Sequence, residues 1–250
     1  MRVFFIIIII LSLFTNTYSQ VVNIEKKRIN NKEKGMQGSI DLSIGFIKSE
    51  SDIIQGKNSL KLQYNNNNST FLFFNNISLI KADDKNFMND GFQHLRYNYN
   101  ISNSLVIAEF FVQHQYNTIK NLKKRFLTGA GPRIRISEND TIRFYTGYLC
   151  MYEYELLTDD TTQNQSFRLS AYISLGYNFN KNFSINHITY YQPVFIDFQD
   201  YRISSETYFS FKFATKLSFK LVYTLTYDTN PPLGINKLFY SLNNTISYSF

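Results

Sequence analysis

The chain has 250 residues, 44% of them hydrophobic and 17% aromatic, with 24 Phe, 19 Tyr and no Trp. Only 10 Gly and 4 Pro exclude collagen-like and proline-rich disordered chains, and the single Cys150 excludes an internal disulfide framework or a thiolate zinc cluster. The net charge of +7 comes from Lys and Arg scattered along the chain, so no nucleic-acid partner is expected.

The N-terminus is an address. Arg2 precedes an apolar stretch from Val3 to Phe14, broken only by Ser12, and Thr17-Tyr18-Ser19 ends on small residues. This is the pattern of a secretory signal over residues 1–19, cleaved after Ser19. The apolar core is too short to span a bilayer as a helix. Residues 20–36, with Lys26, Lys27 and Arg28, read as a short periplasmic arm. No later stretch reaches 18 apolar residues, so a helical membrane protein is excluded.

From residue 37 onward the dominant signal is alternation. A strand places successive side chains on opposite faces, so a strand between lipid and a polar lumen alternates over about ten residues. Such segments are predicted over 37–48, 57–66, 69–80, 91–102, 104–116, 123–137 and 140–155, then 167–179, 183–195, 201–214, 217–228 and 238–250. The last segments are the clearest. Leu217, Phe219, Leu221, Tyr223, Leu225 and Tyr227 alternate with Ser218, Lys220, Thr224, Thr226 and Asp228.

Twelve strands is an even number, as a closed antiparallel transmembrane β-barrel with both termini in the periplasm requires. The connections agree. Alternate ones are short and polar (Asn65 to Asn68, Ser102 to Ser104, Ser137 to Asp140, Asn180 to Asn182), whereas Lys81 to Asp90, Leu157 to Gln165 and Thr229 to Lys237 are longer. The chain ends on Phe250, in phase with the apolar face, which resembles the terminal signal read by the barrel assembly machinery. A soluble sandwich would also alternate, with its apolar face turned inward. The signal sequence, strand count, loop asymmetry and Phe250 together favour the outer membrane of a Gram-negative bacterium, with outer-membrane lipids and the assembly machinery as partners.

Three segments carry a family resemblance: FQHLRYNY (Phe92 to Tyr99), AEFFVQHQYN (Ala108 to Asn117) and LKKRFLTGAGPRIRI (Leu122 to Ile136). They resemble the YdiY-like family of salt-induced outer membrane proteins, from about Val21 to the C-terminus. The resemblance implies an outer-membrane barrel connected with salt or osmotic stress, and no particular reaction.

Antiparallel placement sets lumen charges on neighbouring strands. Arg96, Glu109, Arg133, Arg135 and Arg143 form one expected cluster; Arg125, Glu153 and Arg168 gather nearer the outside. Guanidinium and carboxylate forks can fill a narrow lumen as struts. A basic excess can equally select anions, as charged rings do in pores. Gly129-Ala130-Gly131-Pro132 lacks the Lys-Ser/Thr and helix of a phosphate loop. It reads as a bend, a close approach by a neighbouring side chain, and a bulge at Pro132. His94 falls in the lumen phase, and His114 and His187 in the lipid phase, too dispersed to suggest a metal. Cys150 reads as a small hydrophobe. No cofactor and no catalytic residue are indicated. The expected role is a narrow channel or structural envelope protein. The alternatives are an outer-membrane hydrolase with a site near the outer rim, or a surface receptor using Lys81 to Asp90 and Leu157 to Gln165.

Overall fold

The computed structural model describes residues 34–48, 52–82, 85–159, 161–214 and 217–248. The signal sequence, most of the N-terminal arm and Phe250 lie outside them. The described chain is one antiparallel sheet in sequence order. Its strands are β1 (Gly35–Lys48), β2 (Asp52–Asn66), β3 (Ser69–Ala82), β4 (Lys85–Asn100), β5 (Val106–Asn117) and β6 (Leu122–Glu138). They continue as β7 (Ile142–Leu157), β8 (Gln163–Asn178), β9 (Phe183–Val194), β10 (Asp197–Lys212), β11 (Leu217–Asp228) and β12 (Leu238–Tyr248). All twelve alternating segments are strands. Among the described residues, β1 and β12 are each paired on one side only.

Each strand feeds its neighbour through a connection whose chemistry is local. At one end, called here the turn rim, lie the β2–β3, β4–β5, β6–β7 and β8–β9 turns. Asn139 Oδ1 accepts from the N–H groups of Thr141 and Ile142, and Asn180 Oδ1 accepts from those of Asn182 and Phe183. A short amide side chain thus replaces the ladder partner that a reversing backbone loses. Asn103, in the β4–β5 turn, holds a left-handed φ of 56°, which Asn tolerates better than most residues.

The opposite end, the loop mouth, departs from expectation. The segment Lys81 to Asp90 is strand wherever it is described, and the connection within Leu157 to Gln165 shortens because β8 begins at Gln163, as these strands pair beyond their apolar stretches. Ladder hydrogen bonds do not require apolar side chains, so a polar sequence at the mouth continues the sheet. Only the β11–β12 loop is as long as expected.

The alternation resolves into an inverted distribution. Arg96, Glu109, Arg133, Glu153, Glu155 and Arg168 keep 2–4% of their surface exposed, whereas Leu42, Ile44 and Phe46 keep 71–76%. Side chains on β5 reach β8, and side chains on β10 reach β7, so the polar face is the concave one. Some apolar residues share it: Phe111, Leu127, Leu149, Met151, Tyr172, Ile188 and Tyr190 form a buried cluster. Cys150 points to the exposed face, in the apolar phase expected of it.

The outward face is interrupted by two polar ladders. Gln93 donates to Asn75, Asn75 donates to Asn58, and His114 bonds Gln93 Oε1 at 2.8 Å, linking β2 to β5. Likewise His187 bonds Thr207 and Thr189, and Thr189 bonds Ser205, across β9 and β10.

Glycine and bulge positions shape the concave side. A Cβ at Gly129 would stand 2.7 Å from Phe111 Cε1, and one at Gly147 would enter the Tyr172 ring. Close approach by a neighbour is therefore the use of Gly129, as the sequence suggests. The expected bulge at Pro132 is not found. Ala130↔Cys150 and Arg133↔Gly147 keep one register across it, and Pro132 itself stands opposite Ala108. Proline forgoes a donor there without adding a residue. The irregularities lie instead between Leu122 and Lys124 and between Arg135 and Ser137. The first lets Leu122 turn inward and become buried, although it shares parity with the outward Phe126.

Candidate functional site

Two charged clusters occupy the concave side, one toward each end. Toward the turn rim, Arg96 on β4 pairs with Glu109 on β5 at 2.9 Å. The second oxygen of Glu109 accepts from the Tyr172 hydroxyl of β8 at 2.7 Å, and that hydroxyl accepts from Arg133 Nη1 of β6 at 3.2 Å. The Arg133 guanidinium also lies 3.9 Å from the centre of the Tyr145 ring, a cation–π contact. His94 accepts from Arg96 Nε through Nε2, so its other ring nitrogen donates to Gln113.

The remaining two members of this cluster stand apart. Arg135 pairs with Glu138 at 3.0 Å and donates to the Ser104 carbonyl, at the rim itself. Arg143 donates to Asn186 Oδ1 at 3.1 Å. The five residues thus form a connected trio, Arg96–Glu109–Arg133, with two arginines below it. Counted with Glu138, this group comprises four arginines and two carboxylates, and Glu206 of β10 is a further buried carboxylate on the concave side.

Toward the loop mouth, Glu153 on β7 is a hub. It pairs with Arg168 of β8 at 2.6 Å, with Arg125 of β6 at 3.0 Å, and with Arg202 of β10. Glu155 holds Arg125 and Arg202 as well. Arg202 Nε is bonded to Asp228 Oδ2 at 2.7 Å, and Arg168 to Asp200 at 3.0 Å. Arg125, Glu153 and Arg168 meet here as the sequence suggests. Arg202, Glu155, Asp200 and Asp228 complete the network and were missed. Arg202 and Glu155 lie in the polar phase of their strands, so alternation could have found them. Asp200 could not be placed that way, because the register of β10 against β9 shifts between Asp197 and Tyr201.

Between the clusters lies a cavity of about 50 Å³, lined by Arg96, Phe111, Met151, Glu153, Tyr172 and Arg202 among others. That volume holds only a few waters. Above the hub, the β5–β6 turn carries Lys120, whose ammonium lies 5.4 Å from the centre of the Phe239 ring. Burial, then the nearby Arg125 and Arg202, push its pKa down to about 8, with Asp228 opposing. Among the described residues, no group of three His, Cys, Asp or Glu side chains is arranged to hold a metal.

A family model described as a protein of unknown function, DUF481, matches residues 40–250. The chain belongs to the DUF481 family. The resemblance read from the central segments points to the same place. No match is found among curated proteins. Similar solved structures include a NanC porin, at 10% identity over 85% of this chain and 100% of that one, with a TM-score of 0.49. A KdgM porin in complex with disordered oligogalacturonate is also similar, at 14% identity over 83% of this chain and 98% of that one, with a TM-score of 0.40.

Proposed function

We propose that this DUF481 protein is an outer-membrane β-barrel forming a narrow, anion-preferring channel, with its turn rim in the periplasm and its loop mouth outside. One observation carries the reading: buried charges line the concave face while large apolar side chains stand exposed on the convex one. Water would not support that arrangement, but a bilayer supplies the missing apolar contact and leaves the polar groups for a lumen. In this reading β1 pairs with β12 and both termini face the periplasm.

The direction of selectivity follows from charge. Four arginines outnumber Glu109, Glu138 and Glu206 and leave the rim half of the lumen positive, so an entering anion gains Coulomb energy and a cation loses it. The mouth network is close to self-neutralised and blocks the path sterically, so conduction requires the Arg202 bridge from β10 to β7 to part. Outer-membrane fractionation, with heat-modifiable mobility in detergent gels, tests the location. Reversal potentials in planar bilayers under a KCl gradient test the selectivity. The expected potential has the sign of chloride preference, and Arg133→Gln with Arg135→Gln moves it toward potassium. A soluble periplasmic protein overturns the membrane reading, and a bilayer without current leaves the arginines as internal struts.

A further inference from the structure

The loop mouth contains a recess beside the Glu153 network, whose Arg125, Arg202 and Asp228 form part of its lining. Its walls come from distant parts of the sheet: Lys120 and Leu122 around the β5–β6 turn, and Pro231, Pro232, Ile235 and Phe239 around the β11–β12 loop. Ser204, Thr226, Asn236 and Lys237 add polar groups to its lining. The turn that presents Lys120 is fixed. Its backbone N–H donates to Asn117 Oδ1 at 2.8 Å, Thr118 N–H donates to the Asn89 carbonyl, and Thr158 N–H donates to the Asn121 carbonyl. Lys120 is therefore held over the recess by a tied backbone.

Its ammonium is unmatched. Asp228 is the carboxylate facing it, but Oδ2 of Asp228 is taken by Arg202 and Oδ1 by the N–H of Asn230. No carboxylate lies within ion-pair distance of Lys120 among the described residues. The other charges facing it, Arg125, Arg202 and Lys237, are all cationic. A half-buried ammonium among cations, with an aromatic face below it and prolines beside it, lacks a counter-charge and offers apolar surface.

We infer that this recess binds a small organic anion, a carboxylate whose oxygens meet Lys120 and whose compact apolar body packs against Phe239 and the Pro231–Pro232 wall. The charge-assisted hydrogen bond supplies orientation, and the apolar wall discriminates against bare inorganic anions. The site needs only the geometry of the mouth. It stands whether or not the lumen conducts.

Benzoate is the probe, titrated calorimetrically into the full-length protein refolded in detergent at pH 7, with acetate lacking the apolar body and benzyl alcohol lacking the charge. Benzoate binds and both controls bind at least about tenfold more weakly, a difference near 1.4 kcal/mol. Lys120→Gln loses that same factor, whereas Lys120→Arg keeps the affinity. Raising the pH to about 10 weakens benzoate binding to the native chain and leaves Lys120→Arg unchanged, because guanidinium stays charged there. Heat-modifiable mobility certifies that each variant is folded. Absence of benzoate binding, equal binding of acetate, or full affinity in folded Lys120→Gln overturns the site. None of these outcomes bears on selectivity measured in bilayers.

Discussion

The hydroxyl of Tyr172 on β8 donates to Glu109 on β5 at 2.7 Å, joining two strands that are not neighbours in the sheet. The same hydroxyl accepts from Arg133, so a neutral group connects an ion pair to a third charge. The concave side is thereby braced by one phenol.

Tyr172→Phe removes that brace and keeps the ring. Glu109 then loses a buried donor, and stability falls by about 1–3 kcal/mol, the usual penalty for leaving such a group unsatisfied. Urea unfolding of the refolded protein in liposomes measures it. An unchanged midpoint shows that water replaces the phenol freely.

Glu153→Gln is expected to do more. Three arginines converge on this carboxylate, and neutralising it leaves their charges facing one another in a confined space. Breaking a buried ion pair from one side costs about 3–5 kcal/mol. Because repulsion also drives Arg202 from its bridge, single-channel current rises and shifts toward anions. A variant with native current shows that the hub is not the obstruction.

A methyl group at Gly147 tests the fit between β7 and β8. Its Cβ would occupy the Tyr172 ring, so Gly147→Ala displaces that ring and destabilises by about 1–3 kcal/mol, as overpacked sites do. Combining it with Tyr172→Leu relieves the clash. The double variant should therefore be more stable than the sum of the two single changes, and strict additivity in the same unfolding assay contradicts the contact.

Lys120 gives the protein a pH dependence of defined sign. Its pKa is lowered in the folded state to about 8, from 10.5. Between these values the unfolded chain binds the proton and the folded one does not, so stability rises with pH across that window. The penalty of holding the ammonium is fully present below about pH 8. Unfolding midpoints should climb from pH 8 toward pH 10, and the slope should flatten in Lys120→Met. A native slope in the variant assigns it to other groups.

The period of two made the strands legible because every strand separates an apolar side from a polar one, so Leu217 to Asp228 reads as a strand without any neighbour. Phase also placed Arg125, Glu153 and Arg168 on one surface. Depth along the strands was harder to read, since it depends on register. Arg135 and Arg143 share a phase with Arg133 yet stand nearer the rim, bound to Glu138 and Asn186. Leu122 and Asp200 lay beyond reach of the pattern for one reason: an irregularity shifts parity beside each, and alternation does not show where a residue is inserted. Lys120 was invisible because much of its surroundings, from Arg202 to Phe239, lies far along the chain.

The two outward ladders constrain how such a chain could enter a bilayer. Asn58, Asn75, Gln93 and His114 satisfy one another only when β2, β3, β4 and β5 already lie side by side. A single one of these strands meeting hydrocarbon would carry an amide or imidazole with no partner, at a penalty of several kcal/mol. Insertion strand by strand is thus uphill for this stretch, and the four strands favour crossing the interface as a preassembled unit. In the membrane reading proposed above, His187, Thr189, Ser205 and Thr207 impose the same rule on β9 and β10, and the outward polar residues then set a timetable for assembly.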